Sequence, residues 1–277
     1  MDRRKFLRWA ATAAAAPLAG LACARFEAGW VRVTRRRVAV PRLPPPFAGK
    51  TVALLTDPHH GPFNGLGLVR AAVGAVNALR PDLIALPGDF VQEGPTHSYA
   101  GPCLAELGRL RAPLGVFAVP GNHDHRDDIR AIRRGFRANG IRDLTNAGAW
   151  VEADGCRLRV GGVDDLWSAR QNLEAALGDA GADDACLLLC HNPDYAEKLR
   201  DRRVGLVLSG HMHGGQIVLP GVGYRRLPSR YGTKYLQGLV RAPTTQVFVS
   251  RGVGTVGLPL RFRCRPEVNL LTLMPPG

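Results

Sequence analysis

Short apolar runs that each stop on a polar cluster constrain this chain more than any other feature. Thr51-Val52-Ala53-Leu54-Leu55-Thr56 runs into Asp57-Pro58-His59, Leu83-Ile84-Ala85-Leu86 precedes Gly88-Asp89, and Gly115-Val116-Phe117-Ala118-Val119 precedes Gly121-Asn122-His123-Asp124. Further on, Ala185 to Cys190 ends at His191, and Val204 to Ser209 ends at Gly210-His211-Met212-His213-Gly214. Runs of this length, closed by turn residues, read as buried strands. Polar clusters delivered from successive strand ends can meet at one edge of a sheet.

The segments between these runs read as helices. Leu66 to Arg80 carries Leu68, Val69, Ala72, Val73, Val76 and Leu79 at helical spacing and stops before Pro81. Asp127 to Ala138 places Ile129, Ile132 and Phe136 on one face, with Asn139-Gly140 as its stop. Alternation of this kind predicts an α/β fold. From Ala149 the strands crowd together: Trp150-Val151-Glu152 and Arg157 to Val163 flank the Asp154-Gly155 turn as a hairpin, and Gln246 to Val249 and Val268 to Leu273 supply closing strands. So many strands around one core predict a four-layer α/β/β/α sandwich, two mixed β-sheets face to face with helices outside. Pro220 to Pro243 is aperiodic and rich in Gly, Arg, Tyr and Pro, which predicts a long binding loop or lid.

At 277 residues and 45% apolar content the chain can bury one substantial core. Three segments are expected: an export signal at 1–24, a basic, proline-rich lead-in at 25–48, and a catalytic domain at 49–277. The signal reading rests on Arg3-Arg4-Lys5-Phe6-Leu7 followed by the alanine-rich stretch Trp9 to Ala24, too short and weakly apolar for a membrane span of roughly 20 residues. This pattern resembles a twin-arginine signal, read by an export machinery that carries folded proteins. Ala22-Cys23-Ala24 supplies a small-x-small cleavage site, with lipidation of Cys23 as the alternative.

Of the net charge of +14, residues 1–24 carry +3 and residues 25–277 the remaining +11. Arg35-Arg36-Arg37, Arg225-Arg226 and Arg230 would attract phosphorylated substrates or an anionic membrane surface. Aromatic content of 6%, with no aromatics interleaved in the basic stretches, argues against nucleic acid. Cysteines 103, 156, 186, 190 and 264 have no disulfide or zinc-ribbon spacing, and Cys186 and Cys190 are expected to be buried packing residues.

Two cations about 3.5 to 4 Å apart can turn a water between them into hydroxide and neutralise charge on a phosphoryl group during in-line attack. Such a pair needs a bridging carboxylate, and Asp89, behind a glycine that permits a tight turn, is the best candidate. Asp57 and His59, two apart on an extended segment, can clasp one cation; His211 and His213 have the same spacing. In Gly-Asn-His-Asp, Asn122 makes sense as a ligand while His123 stands free to protonate the leaving oxygen.

In order and spacing these blocks resemble the calcineurin-like metallophosphoesterases, whose signature is Asp-x-His, Gly-Asp, Gly-Asn-His-Asp or Glu, His, then Gly-His-x-His. All five are present between Asp57 and His213. The resemblance implies one cation on Asp57, His59, Asp89 and His213, and another on Asp89, Asn122, His191 and His211, the ions being manganese, iron, zinc or similar. It implies His123 as the non-ligand acid, with Asp124 as its orienting partner. Gly210-His211-Met212-His213-Gly214-Gly215-Gln216, Gly161 to Asp165, and Ser250-Arg251-Gly252-Val253-Gly254 with Arg261-Phe262 resemble a narrower branch, exported phosphoesterases named after the bacterial proteins YkuE and YaeI. Some of that branch are implicated in cleaving the diphosphate of a lipid-linked UDP-sugar.

The expected activity is therefore binuclear metal-dependent hydrolysis of a phosphodiester or diphosphate bond. The substrate is phosphorylated and small, or lipid-linked, and met in the periplasm or on the outer face of the cytoplasmic membrane. His125, Arg251 and Arg261 are candidates to touch its phosphate. Asp164 and Asp165 are expected to close a turn. A metal-dependent nuclease or phosphomonoesterase is the second reading, and a non-catalytic envelope-binding module that kept the fold the third. The first strand lacks the Asp-x-Asp of a dehalogenase-type phosphatase, Gly215-Gln216 stands where a metallo-β-lactamase fold wants Asp-His, and no Gly-x-x-x-x-Gly-Lys loop is present.

Overall fold

A computed structural model describes residues 18–92, 99–168, 170–224 and 227–277. The twin arginines Arg3 and Arg4, and Arg225-Arg226, lie outside the described residues. Helix α1 (18–29) leads into β1 (Arg32–Ala39), β2 (Thr51–Leu54), α2 (Leu66–Ala78), β3 (Leu83–Pro87), α3 (Ala100–Leu107) and β4 (Val116–Val119). Next come α4 (Asn122–Arg126), α5 (Ile129–Ala138), β5 (Arg142–Asp143), β6 (Ala147–Ala153), β7 (Cys156–Gly162), α6 (Leu173–Leu177), β8 (Cys186–Leu189) and β9 (Val204–Ser209). The ribbon β10 (Val218–Leu219) and β11 (Gly223–Tyr224), then β12 (Gly238–Arg241), β13 (Gln246–Val249) and β14 (Glu267–Met274), complete the chain.

Two six-stranded mixed sheets result, ordered β1-β14-β2-β3-β4-β5 and β12-β13-β9-β8-β7-β6. Strands buried on both faces explain why the runs look continuously apolar. Val52 and Leu54 of β2, Leu83 and Ala85 of β3, Leu187 and Leu189 of β8, and Leu206 and Leu208 of β9 fill the layer between the sheets. Their alternate neighbours Ala53, Leu55, Ile84 and Leu86 pack against α2, α3 and α5, while Cys186, Leu188, Cys190 and Val207 pack outward on the other sheet with Tyr195, Ala196 and Leu199. The period of two is thus present in every run, and the architecture is the expected α/β/β/α sandwich. Because β2, β3 and β4 run parallel, as do β7, β8 and β9, their C-terminal ends gather at one edge of the molecule.

Four local differences have physical reasons. The expected lead-in contains β1, which pairs in parallel with β14 from Arg32 opposite Glu267 to Ala39 opposite Met274, so the folded unit begins before residue 49. Its exposed Arg35, Arg36 and Arg37 line a sheet edge, where charge discourages pairing with another chain. Helix α3 was hidden by Gly101-Pro102, which a first turn tolerates, although Ala100, Cys103, Leu104 and Leu107 keep helical spacing and are buried. The helix expected from Asp127 starts at Ile129, with Asp128 capping it by accepting from the Arg130 and Ala131 N–H groups, and Asn122–Arg126 forms its own short turn. The long loop is partly ordered by β11 and β12.

The end of the expected signal is helical. Ala24 and Ala28 are buried against the domain, Cys23 is exposed, and the Ala24 carbonyl accepts the Arg261 N–H at 3.0 Å. Among the described residues, no helix is long and apolar enough to cross a membrane.

Candidate metal centre

Seven side chains from five loops converge at the common strand edge. Asp57 and His59 follow β2, Asp89 follows β3, Asn122 begins α4 behind β4, His191 follows β8, and His211 and His213 follow β9. All are buried. Two lobes share Asp89. On one side, His59 Nε2 lies 3.4 Å from Asp89 Oδ2, 3.7 Å from Asp57 Oδ1 and 3.1 Å from His213 Nε2, and His213 Nε2 is 3.4 Å from Asp57 Oδ1. On the other, His191 Nε2 is 3.0 Å from the same Asp89 Oδ2 and 3.1 Å from His211 Nδ1. Asn122 lines the cleft above them.

The backbone that presents these groups is not the extended segment expected for Asp57-Pro58-His59. Asp57, His59, Asp89, His211 and His213 all have positive φ, from 45° to 71°. For non-glycine residues this costs on the order of 1 kcal/mol or more each and persists only where the surroundings impose it. Gly88, at φ 90°, is needed twice over: a Cβ there would lie 2.5 Å from the Gly121 nitrogen and 2.9 Å from His191 Nδ1. Gly88→Ala is expected to cost at least about 1 to 3 kcal/mol through backbone strain alone. It should also push His191 off position, which thermal denaturation and calorimetric titration with Mn²⁺ would measure together.

Second contacts set which ring nitrogen faces inward. His191 Nδ1 is 2.8 Å from the Pro87 carbonyl and donates to it, so Nε2 is the nitrogen that faces the site; His211 Nε2 lies 3.1 Å from the Pro228 carbonyl, which leaves its Nδ1 facing inward. The His211 N–H donates to Asp57 Oδ1 at 3.0 Å, and the His123 N–H to Asp89 Oδ1 at 2.8 Å, tying the loops to each other through the two carboxylates.

The electrostatics favour positive charge. Burial raises the Asp89 carboxyl, yet His191 and His59 overcome it and hold the group well below the usual carboxylate range. Asp57 is likewise pulled down against its burial by His213 and His59. Burial, with His191 adding to it, depresses His211 to about 3, and burial takes His213 far down as well. His191 is lifted to about 10 because Asp89 outweighs its burial.

Ionised Asp57 and Asp89 thus face the His211 and His213 rings, which burial keeps neutral, and the charge that Asp89 draws onto His191 marks the same local demand for a cation. Asn122 Oδ1 is buried with no hydrogen-bond partner. Three overlapping sets, Asp57-His59-His213, His59-Asp89-His123 and Asp89-His191-His211, each bring donor atoms within 4.8 Å. Carboxylate, imidazole and amide oxygen suit manganese, iron or zinc, and cations fit here.

His123 reaches the same cluster, and burial lowers it to about 4. Asp124 is held by backbone groups. Its carboxylate accepts the backbone N–H groups of Asp89, Phe90, Val91 and Gly121 at 2.8 to 3.3 Å, locking the Asp89 and Asn122 loops together from below. One side chain beside His123 is Gln92, its amide nitrogen 3.5 Å from Nδ1. An amide three residues after Asp89 carries no local sequence signal.

The expected substrate contacts lie elsewhere. His125 Nε2 is 2.6 Å from Asp164 Oδ1, joining α4 to the turn at Leu166–Ser168. Arg251 meets Gln237 Oε1 at 2.6 Å, and its Nε is 4.0 Å from Glu267. Arg261 is fully buried behind His213, Nη2 lying 3.2 Å from His213 Nδ1, so it cannot reach a bound phosphate.

A cleft of about 550 Å³ opens over the cluster. Its walls add Arg126 and the apolar Trp167, Ile217, Leu227, Pro228, Val256 and Leu258, none of them singled out by a motif. Trp167 stands edge-on to His211 with ring centroids 4.8 Å apart.

Comparison with known proteins agrees with this geometry. The profile of the calcineurin-like phosphoesterases matches residues 50–215. The uncharacterized metallophosphoesterase YkuE of Bacillus subtilis is 33% identical over 99% of this chain and 98% of its own length. Phosphodiesterase YaeI of Escherichia coli is 32% identical over 99% of this chain and all of its own. Among solved structures, the NAD nucleotidase of Haemophilus influenzae shares the fold at a TM-score of 0.50 and 14% identity, over 74% of this chain and 45% of that one.

Proposed function

This chain belongs to the calcineurin-like phosphoesterase family, a hydrolase of phosphoric ester bonds, and on that premise we propose that it cleaves a phosphodiester or diphosphate bond in a cell-envelope or lipid-linked substrate such as a UDP-linked diacyl sugar. The observation that carries the reading is the two-lobed cluster around Asp89 at the floor of the cleft, with His123 in contact with it. The relative named as a phosphodiesterase supports a diester. A place outside the cytoplasm, in the periplasm or on the outer membrane face, is supported by the Arg3-Arg4 leader, and peripheral contact with anionic lipid by the +11 carried by residues 25–277.

Asp57, His59, Asp89 and His213 would hold one cation, and Asp89, Asn122, His191 and His211 a second. Cations bound there neutralise phosphoryl oxygens and acidify water at the site. The protein's own groups do the rest. Asp89, fixed by the His123 N–H, keeps the lobes in register. His123, next to Gln92 and kept neutral by burial, offers its ring N–H to the departing oxygen. The apolar walls leave few competing hydrogen-bonding groups beside the reacting phosphorus.

Turnover of bis(p-nitrophenyl) phosphate by Mn²⁺-loaded protein, abolished by chelation and restored by the cation, tests the activity. Absence of turnover in fully loaded protein would refute it. His123→Ala is expected to lower kcat by about 10² to 10⁴ with cation content unchanged. The loss should be steeper for phenyl than for nitrophenyl leaving groups, because the poorer leaving group needs the proton more. An equal loss across the series would remove His123 from the acid role.

A further inference from the structure

Beyond the ridge formed by Trp167 and Pro228 lies a second cavity of about 220 Å³, and those two residues line both spaces. Its other walls include two cationic side chains, Lys198 and Arg230, with Tyr231 beside them. Its one carboxylate, Asp194, is already committed: Oδ1 accepts the Ser229 hydroxyl at 2.6 Å and Oδ2 the Arg230 N–H at 2.8 Å. Asp194 itself is buried three residues after His191, and the Pro228 carbonyl is held by His211. The Arg230 backbone is therefore fixed relative to the metal centre at two points, although its side chain and that of Lys198 are exposed.

We propose that this second cavity is a distal anion subsite, in which Lys198 and Arg230 bind a phosphate carried by the substrate away from its scissile phosphorus. The proposal rests on the phosphoesterase reading and adds a length requirement to it. The substrate runs from the cluster around Asp89, across Trp167, to the cavity that Lys198 and Arg230 line. A guanidinium and an ammonium on one rim suit a phosphate group, which offers several acceptor oxygens at once. The indole and Tyr231 give the intervening portion a flat apolar surface. A simple aryl diester reaches only the first cavity.

Two probes differing in one group make the test: thymidine 5′-(p-nitrophenyl phosphate), and the same compound bearing a 3′-phosphate. The intact protein, loaded with Mn²⁺, is expected to favour the second by about tenfold or more in kcat/KM, mostly through KM. Lys198→Ala with Arg230→Ala should erase that preference, and Lys198→Arg with Arg230→Lys should keep most of it. Arg35→Ala with Arg36→Ala, on the far-edge strand, controls for general attraction by a basic surface. Equal turnover of both probes by the unaltered protein, or a preference that survives the Lys198 and Arg230 changes or falls equally with the Arg35 and Arg36 changes, overturns the subsite. Failure to hydrolyse either probe, or bis(p-nitrophenyl) phosphate, removes the phosphoesterase reading itself.

Discussion

Asp89→Ala is expected to strip the centre of its cations and to lower turnover by about a thousandfold or more, since several kcal/mol of transition-state stabilisation depend on charge held in that one place. Asp89 places one oxygen between the two lobes: its Oδ2 faces His59 at 3.4 Å and His191 at 3.0 Å, while Oδ1 takes the His123 N–H. Removing it leaves His59 without its nearest carboxylate and frees the backbone that carries His123. Stability should change far less than activity. The Asp124 carboxylate still binds the Phe90, Val91 and Gly121 N–H groups, so the loops stay joined. Asp89→Asn sharpens the test, because it keeps an oxygen for the His123 N–H but lacks the charge. Metal content by mass spectrometry beside kcat on bis(p-nitrophenyl) phosphate gives the answer. Wild-type cation content in either variant would show that the two lobes do not share this carboxylate.

The frame of this site was legible because its signals are local. Each ligand follows a buried run, and parallel strands bring run ends to one edge whatever the detailed register. What stayed hidden depends on groups distant in sequence. Nothing beside Asp124 reveals that four N–H groups from two loops enclose its carboxylate. Positive φ at five ligands is imposed by those loops, not by residue preference, since Asp and His also occupy ordinary conformations. The Arg35-Arg36-Arg37 run reads as part of a basic lead-in because its strand pairing is with residues more than 200 positions later. Arg261 misled for the same reason: arginines are mostly exposed, and the partners that bury this one belong to other segments.

Those partners make Arg261→Met a strongly destabilising substitution. The guanidinium donates to the carbonyls of Gly254, Arg251, Gly252 and Cys264, the last at 3.2 Å, and its Nη2 abuts His213 Nδ1. Burial pulls its pKa below the usual arginine value, but the carbonyl oxygens surrounding it solvate the charge in place of water. A methionine of similar length fills the space and leaves those oxygens buried without donors, at about 1 to 3 kcal/mol for each that cannot find water. A total near 3 kcal/mol or more is then expected, against a typical domain stability of about 5 to 15 kcal/mol. The readout is the urea midpoint, which should fall with an unchanged slope. Arg261→Lys should recover part of the loss, since an ammonium can serve some carbonyls but not the whole fork. Because the segment Arg251 to Gly254 also closes over Asp57, with the Gly254 N–H on the Asp57 carbonyl at 2.6 Å, the lysine variant should bind Mn²⁺ about 10- to 100-fold more weakly even where it is folded. A methionine variant with the wild-type midpoint would mean that the carbonyls find other donors and that Arg261 holds neither the loop nor His213.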